Sequence, residues 1–147
     1  MSWLKEVPGR LFEDVLTLAP HALVADSDMA AGVKASLEPR RYAIVSLAIA
    51  GFLGCSQFTE ALRGPLDVET ARQVCLNWRE VELNKLEQAI MFFTEKGTLD
   101  ESTVSPDDVQ ALRDAGLSDT DVLAVTAVVS YQNYALRVAA ALGLDPR

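Results

Sequence analysis

The sequence contains very few of the residues that bind metals or form disulfides. Its 147 residues include two cysteines, Cys55 and Cys75, and one histidine, His21. These three residues are far apart along the chain, so they lack the closely spaced ligand pairs of structural zinc sites. We therefore predict neither a metal nor a cofactor. The sequence does not decide whether Cys55 and Cys75 form a disulfide, although a reducing compartment disfavours one.

Positive charge and long apolar runs are also scarce. The chain has 13 Lys and Arg residues against 21 Asp and Glu residues, which gives a net charge of −8. Nucleic acids and anionic membrane surfaces attract clustered positive charge, so we expect neither as a partner. The longest apolar run, Tyr42 to Cys55, has 14 residues, whereas a membrane-spanning helix needs roughly 20. The first residues include Lys5, Glu6 and Pro8 instead of an apolar leader, which predicts a cytoplasmic protein.

Apolar residues are abundant for a protein of this size. They make up 50% of the chain, and the mean hydropathy is +0.14. A chain of this length is expected to fold as one domain over 1–147 and to bury roughly two thirds of its unfolded surface. The apolar excess predicts either an unusually complete core or a homo-oligomer that buries apolar surface between subunits.

The longest predicted helix contains the apolar run. Pro39 suits a first helical turn, and Gly64 with Pro65 ends the pattern, so we predict a helix from Glu38 to Leu62. Gly51 and Gly54 lie inside this segment, where each costs about 1 kcal/mol relative to alanine. That cost predicts close helix packing at both glycines.

The rest of the chain also has helical patterns. Ser105 followed by Pro106, and Ser118 followed by acidic residues, are typical helix starts, and Gly116 and Gly143 are typical helix ends. No alternating strand pattern with hairpin turns is present. We predict an all-α bundle of about six helices, drawn from the segments 9–19, 22–37, 38–62, 68–77, 79–96, 105–116 and 118–142.

Two blocks of the sequence resemble the AhpD-like superfamily, which includes alkylhydroperoxidase-type proteins and carboxymuconolactone decarboxylases. One block is Val45 to Cys55, which is similar to the family segment that leads into its cysteine motif. The other joins 86–96, 105–123 and 128–134 to Leu142-Gly143, and is similar to the C-terminal half of peroxidase-related members. The resemblance is strongest over 39–143. It implies a compact helical bundle that assembles into homo-oligomers.

The resemblance also implies where a redox site would lie. The hydroperoxidase branch has a C-x-x-C pair, a histidine four residues after the second cysteine, and an upstream glutamate. This chain has Cys55 at the first cysteine, Phe58 at the second, Leu62 at the histidine and Ala43 at the glutamate. A peroxide-reducing cycle needs an activated thiolate and a second thiol that resolves the sulfenic acid. The substitutions predict a protein of this family without dithiol peroxidase activity.

Three hypotheses on function follow. The first is a redox-related protein with Cys55 as its centre, where the alternative is a buried cysteine that packs as a small apolar residue. Glu60 joins Cys55 as a candidate catalytic residue because it follows by five positions and can face the same cavity; its alternative is a solvated helix face. The second is a carboxymuconolactone decarboxylase-like enzyme with a cysteine-independent pocket, using Glu60 or Arg137. The third is a non-catalytic oligomeric module that binds a small molecule.

The remaining polar candidates have simple alternatives. His21 follows Pro20 without a nearby acid and nucleophile pattern, which favours a partly exposed histidine in a loop or at a helix start. The last helix carries a polar and aromatic group that can form a pocket wall or a subunit contact, although packing with satisfied polar tips is favoured. This group consists of Tyr131, Asn133, Tyr134 and Arg137.

Overall fold

The computed structural model describes residues 3–5, 9 and 11–145, and these form helices without any strand. The predicted all-α class is confirmed, but the described residues contain eight α-helices where about six were expected. Residue 10 of the predicted helix 9–19 lies outside the described residues. The helices are α1 (Phe12–Leu16), α2 (Pro20–Ser36), α3 (Pro39–Phe52), α4 (Thr59–Leu62), α5 (Val68–Asn77), α6 (Lys85–Leu99), α7 (Pro106–Asp114) and α8 (Asp119–Leu142), with short 3₁₀ turns at Ser56–Phe58, Trp78–Glu80 and Glu101–Thr103.

Helix α3 is the central helix of the bundle. Every residue from Ala43 to Ala50 is buried, because α3 packs against α5, α6 and α8 on its different sides. This explains the continuous apolar run, since a helix that is covered all round has no need of a polar face. Helix α2 packs against α8 and covers one side of the central group. None of the helices among the described residues is long and apolar enough to cross a membrane.

The chain breaks where one long helix was predicted over 38–62. Helix α3 ends at Phe52, and the backbone turns so that the Cys55 N–H donates to the Ala50 carbonyl at 2.7 Å. Gly54 makes this turn with φ of +70°, and a Cβ atom there would meet nothing within 4 Å. Its predicted role in close packing is therefore wrong, because Gly54 supplies a left-handed backbone conformation instead. This break accounts for part of the higher helix count.

The close helix packing that we predicted at Gly51, from the low helix propensity of glycine, is confirmed. A Cβ atom at this position would lie only 1.9 Å from the backbone carbonyl oxygen of Cys75 in α5. The hydrogen atom of glycine thus allows α3 and α5 to approach each other closely. This contact fixes the position of α5 against the C-terminal end of α3, just before the turn that carries Cys55.

Candidate functional site

A cavity of about 710 Å³ lies between α2, α3, α4 and α8. We call it the α3–α8 cavity. Its lining includes Ala43 from α3, Phe58 from the 3₁₀ turn, Leu62 from α4, and Leu136 from α8. Pockets of a few hundred cubic ångströms that are largely apolar, with a small number of polar groups, are typical of small-molecule sites. The α3–α8 cavity is therefore the main candidate for a functional site.

Three of its lining residues are those that the family resemblance singled out. Ala43, Phe58 and Leu62 occupy the expected positions of a glutamate, a cysteine and a histidine, and all three line this one cavity. The turn after α3 brings α4 back alongside it, so that a Cβ atom on Gly64 would lie 3.5 Å from the Cβ atom of Ala43. Residues that are nearly twenty positions apart in sequence thus meet at one wall, and all three side chains are apolar.

The Cys55 side chain is not part of the lining of the α3–α8 cavity. Its residue is 1% exposed, and its Sγ atom lies 3.7 Å from the Leu53 carbonyl oxygen and 3.8 Å from the Leu136 carbonyl oxygen. Burial raises the pKa of the Cys55 thiol, and the nearby Cys75 thiol raises it further. Reactive cysteines have a lowered pKa and an accessible sulfur atom. The surroundings of Cys55 therefore favour a packing role, and the α3–α8 cavity is lined without it.

Both cysteines are free thiols. Cys75 lies on α5 and is partly exposed, whereas Cys55 lies in the turn between α3 and α4. The disulfide that the sequence left open is not formed in this structure. Cys75 is therefore a reference thiol within the same protein, against which the reaction rate of Cys55 can be measured.

Glu60 points to solvent. Its side chain is 72% exposed, and its carboxylate accepts a hydrogen bond from Arg63 Nε at 2.8 Å. Arg137 is exposed as well, and its Nη2 atom donates to the Thr98 carbonyl at 3.3 Å. Neither residue is among the described residues that line the α3–α8 cavity. His21 lies in the first turn of α2, at a helix start as the sequence predicted, and it is exposed there.

The cavity has polar groups that the sequence analysis did not identify as a site. The Gln132 Nε2 atom donates to Tyr42 Oη at 2.8 Å and to Ser46 Oγ at 2.9 Å. On the same wall, Tyr131 Oη donates to Asp26 Oδ1 at 3.2 Å. Tyr42, Gln132, Tyr131 and Asp26 all line the cavity. They come from α2, α3 and α8, which are distant in sequence.

Burial in the protein raises the pKa values of Tyr42, Tyr131 and Asp26. Burial raises the pKa of Tyr42, and hydrogen-bonding contacts with Ser46 and Gln132 act in the opposite direction. Burial also raises the pKa of Tyr131, which is raised further by the Asp26 carboxylate. Desolvation raises the pKa of Asp26, with the Tyr131 hydrogen bond opposing it. Both tyrosines consequently stay protonated at neutral pH; Tyr131 donates its proton to Asp26, whereas Tyr42 accepts from Gln132.

The polar and aromatic group predicted on the last helix is divided between two sides of α8. Tyr131 and Tyr134 face α1 and α2, where the Tyr134 ring packs edge-on against Phe12 with centroids 5.8 Å apart. Asn133 instead contacts α6, and its Nδ2 atom donates to Thr98 Oγ1 at 3.0 Å. The helical period explains this division. A glutamine within a buried apolar stretch was the signal that could have identified Gln132.

The described residues contain no group of three or more His, Cys, Asp or Glu side chains that could hold a metal ion. The Cys55 thiol and the Glu60 and Asp26 carboxylates do not form a cluster, because each contacts a different partner. Cys55 is buried beside the Leu136 carbonyl, Glu60 pairs with Arg63, and Asp26 bonds to Tyr131.

Comparison with known proteins places the fold. No family model matches the sequence, and no curated protein matches it. Solved structures do match. An uncharacterized peroxidase-related protein from Silicibacter sp. TM1040 aligns with a TM-score of 0.78 and 16% identity over 92% of this chain and 75% of that one. A protein of unknown function from Agrobacterium tumefaciens, described as a candidate antioxidant defence protein AhpD, aligns at 0.77 with 20% identity over 95% and 98% of the two chains.

A third similar structure is described as an alkylhydroperoxidase AhpD core, an uncharacterized peroxidase-related protein from Ralstonia eutropha JMP134. It aligns with a TM-score of 0.67 and 19% identity over 90% of this chain and 74% of that one. All three alignments cover at least 90% of the chain with TM-scores of 0.67 to 0.78, so the protein has the AhpD-like fold. Two of the three similar structures are described as peroxidase-related proteins.

Proposed function

We propose that this protein is a member of the AhpD-like superfamily, related to alkylhydroperoxidases and antioxidant proteins, that lacks dithiol peroxidase activity. Its α3–α8 cavity then serves as a site for a small molecule. One observation carries the proposal. Ala43, Phe58 and Leu62 line the cavity at the positions where the family resemblance expects an acid, a thiol and an imidazole, while the retained Cys55 thiol is buried outside it.

The chemistry of peroxide reduction supports the expectation that this arrangement is inactive. A thiolate attacks the peroxide oxygen, the O–O bond breaks, and the leaving alkoxide takes a proton while the sulfur becomes a sulfenic acid. A second thiol must then attack this sulfur, form a disulfide and release water. Here the cavity wall offers neither a thiol nor a proton relay at the three positions. Cys55, which has a raised pKa, also lacks the thiolate population that the first step needs.

We expect Cys55 to react with iodoacetamide at least about 100-fold more slowly than Cys75 in the native protein. Labelling at Cys55 requires local opening of the turn after α3, and an opening free energy of about 3 kcal/mol gives this factor. Quantitative mass spectrometry of the two cysteine peptides over time measures both rates in one sample.

The control is the same reaction in denaturant, where both cysteines should be labelled at similar rates. A Cys75→Ser variant checks that the slow labelling of Cys55 does not depend on modification of its neighbour. Fast native labelling of Cys55, comparable with that of an unfolded thiol, would contradict the proposal and support a redox centre at this residue.

An enzyme that uses the same cavity without cysteine is the second candidate. It is supported by Asp26, Tyr42 and Tyr131, which supply a carboxylate and two phenols at one wall. A carboxymuconolactone-type substrate is an anion, and the Asp26 carboxylate opposes its binding. The candidate is therefore better suited to an uncharged substrate. Glu60 and Arg137, the residues first considered for this role, lie outside the cavity.

Exposed apolar side chains on α5, α6 and α8 support assembly into a homo-oligomer, which would bury them. They include Leu76, Phe92, Leu99 and Leu123. A non-catalytic oligomeric module that binds a small molecule in the cavity, without turnover, is the alternative to an enzyme.

We also propose a single domain over 1–147 and a cytoplasmic location, without nucleic-acid or membrane partners.

A further inference from the structure

We infer that the α3–α8 cavity binds an uncharged, largely apolar molecule through a hydroxyl head group, which accepts a hydrogen bond from Tyr42 and donates one to Asp26. This inference rests on the proposed function, because it names the class of ligand for the same cavity. It comes from the donors and acceptors that the described residues leave unused, from the apolar wall and from the charges at the cavity.

The hydrogen-bond network fixes the orientation of the Gln132 amide. Ser46 Oγ donates its only proton to the Tyr42 carbonyl oxygen at 2.7 Å. The group 2.9 Å from this hydroxyl must therefore be a donor, so the amide nitrogen of Gln132 faces it. Among the described residues, only the amide nitrogen of this nearly buried side chain is bonded; nothing donates to its carbonyl oxygen.

The same network leaves the Tyr42 hydroxyl proton available. The Gln132 amide nitrogen donates to Tyr42 Oη at 2.8 Å, so the phenol acts as an acceptor in that bond. The other polar contact of this phenol is with the Ser46 hydroxyl, which already accepts from Gln132, and no carbonyl or carboxylate oxygen of the described residues accepts from Tyr42 Oη. Tyr42 lines the cavity, and its raised pKa keeps it protonated. It can therefore donate to a ligand.

Asp26 supplies the acceptor. One of its oxygen atoms accepts from Tyr131 Oη at 3.2 Å, and none of the described residues donates to the other. A carboxylate has about four lone-pair positions, so a second donor can bind there. Asp26 and Tyr42 line the same cavity and are joined through neighbouring residues of α8, since Asp26 accepts from Tyr131 and Tyr42 accepts from Gln132. A hydroxyl can both donate and accept, whereas a carbonyl or an ether can only accept.

The rest of the cavity favours an apolar and uncharged body. Ala43, Phe58, Leu62 and Leu136 form apolar wall, and three of these replace polar residues expected from the family resemblance. The Asp26 carboxylate stands beside the head-group donor Tyr42 in the cavity lining and opposes an anionic head group there. The volume of about 710 Å³ can hold a molecule with two fused rings.

Three probes that share one ring system test this inference: 2-naphthol, naphthalene and 2-naphthoate. Binding is measured by changes in the amide spectrum of isotope-labelled full-length protein, with dissociation constants from titration. We expect 2-naphthol to bind about 10-fold more tightly than naphthalene, the effect of a net hydrogen bond of about 1.4 kcal/mol. We expect 2-naphthoate to bind at least about 10-fold more weakly than 2-naphthol.

Two substitutions assign the head-group contacts. Tyr42→Phe removes the donor but leaves Gln132 bonded to Ser46, and should weaken 2-naphthol binding several-fold toward the affinity of naphthalene, without changing the affinity of naphthalene itself. Asp26→Asn keeps the shape, removes the charge, and should strengthen 2-naphthoate binding. Tyr134→Phe is the matched control, because Tyr134 is exposed on the same helix as Gln132 and lies outside the cavity lining. Thermal unfolding checks that each variant is folded.

Each outcome separates the inference from the proposed function. If naphthalene and 2-naphthol bind equally and Tyr42→Phe has no effect, the head-group inference is wrong while the cavity stays a binding site. Tightest binding of 2-naphthoate would overturn the inference and favour an anionic substrate. If none of the probes shifts the resonances of cavity residues, both the inference and the proposed binding function are contradicted. An equal loss with Tyr134→Phe would contradict the assigned location.

Discussion

Gly51→Ala is expected to lower the free energy of unfolding by about 2–3 kcal/mol, a typical cost of overpacking a well-packed core. The added methyl group would lie 1.9 Å from the Cys75 carbonyl oxygen. That atom is part of the α5 backbone, so it can move away only if the whole helix shifts. Urea unfolding, followed by tryptophan fluorescence, measures the change. A loss below about 0.5 kcal/mol would show that α3 and α5 are not in close contact.

Gly32→Ala is the matched control for the same chemical change. Gly32 lies inside α2, and a Cβ atom there would meet nothing within 4 Å. Alanine has the higher helix propensity, so this variant should be more stable by about 0.5–1 kcal/mol. The opposite signs of the two substitutions separate the steric effect at Gly51 from the general effect of alanine in a helix.

Phe58→Cys in a Cys75→Ser background is expected to create a thiol that reacts with iodoacetamide at least about 100-fold faster than Cys55. Position 58 lines the cavity and is partly exposed, while Cys55 is 1% exposed only three residues earlier. The large difference over so short a distance follows from the 3₁₀ turn, which directs the two side chains to different surroundings. A reductant keeps both thiols free, and mass spectrometry measures each rate.

The reference for this experiment is Cys75→Ser alone, in which Cys55 is the single cysteine and should be labelled slowly. A ligand that occupies the cavity should protect the new thiol and leave Cys55 unchanged. Equal rates at positions 55 and 58 would contradict the placement of the cavity relative to the turn. Faster labelling of Cys55 would show that the retained thiol, and not position 58, faces the accessible space.

The helices with clear start and stop signals were predicted well from the sequence. Helix α5 has the predicted bounds, and the Asp67 side chain caps it by accepting from the Thr70 N–H at 2.8 Å. Helix α8 begins after Ser118 and ends before Gly143, whose φ is +63°. In each case a side-chain cap or a left-handed glycine defines the helix end locally. Such signals depend on few residues and need no tertiary information.

Three predicted helices had wrong bounds. The helix predicted over 9–19 spans only Phe12–Leu16, and the other two were misjudged because periodicity was read across local turn signals. Helix α6 begins at Lys85 and not at residue 79, since Asn84 and Glu87 form a capping box. It also continues past Gly97 to Leu99 before it ends. The break after Phe52 was missed because the apolar run continues through it, and an apolar run by itself does not distinguish a helix from a buried turn.

The candidate site was predicted in part. The family resemblance identified Ala43, Phe58 and Leu62, and the structure places all three at one cavity. The polar groups were not predicted, because Asp26 and Gln132 come together only when α2 and α8 dock on the central helix. Glu60 was chosen for its distance in sequence from Cys55, but α4 directs it to solvent. Side-chain direction depends on the turn geometry, which the sequence pattern did not show.

Whether Cys55 supports peroxide reduction is decided by the steady-state consumption of an organic hydroperoxide by the purified protein with a thiol reductant in excess. We expect no turnover above the rate of the reductant alone, and no difference between the natural protein and Cys55→Ser. Repeated turnover that is lost in Cys55→Ser would overturn the proposed loss of dithiol peroxidase activity, because it would require the buried thiol to act as the catalytic nucleophile.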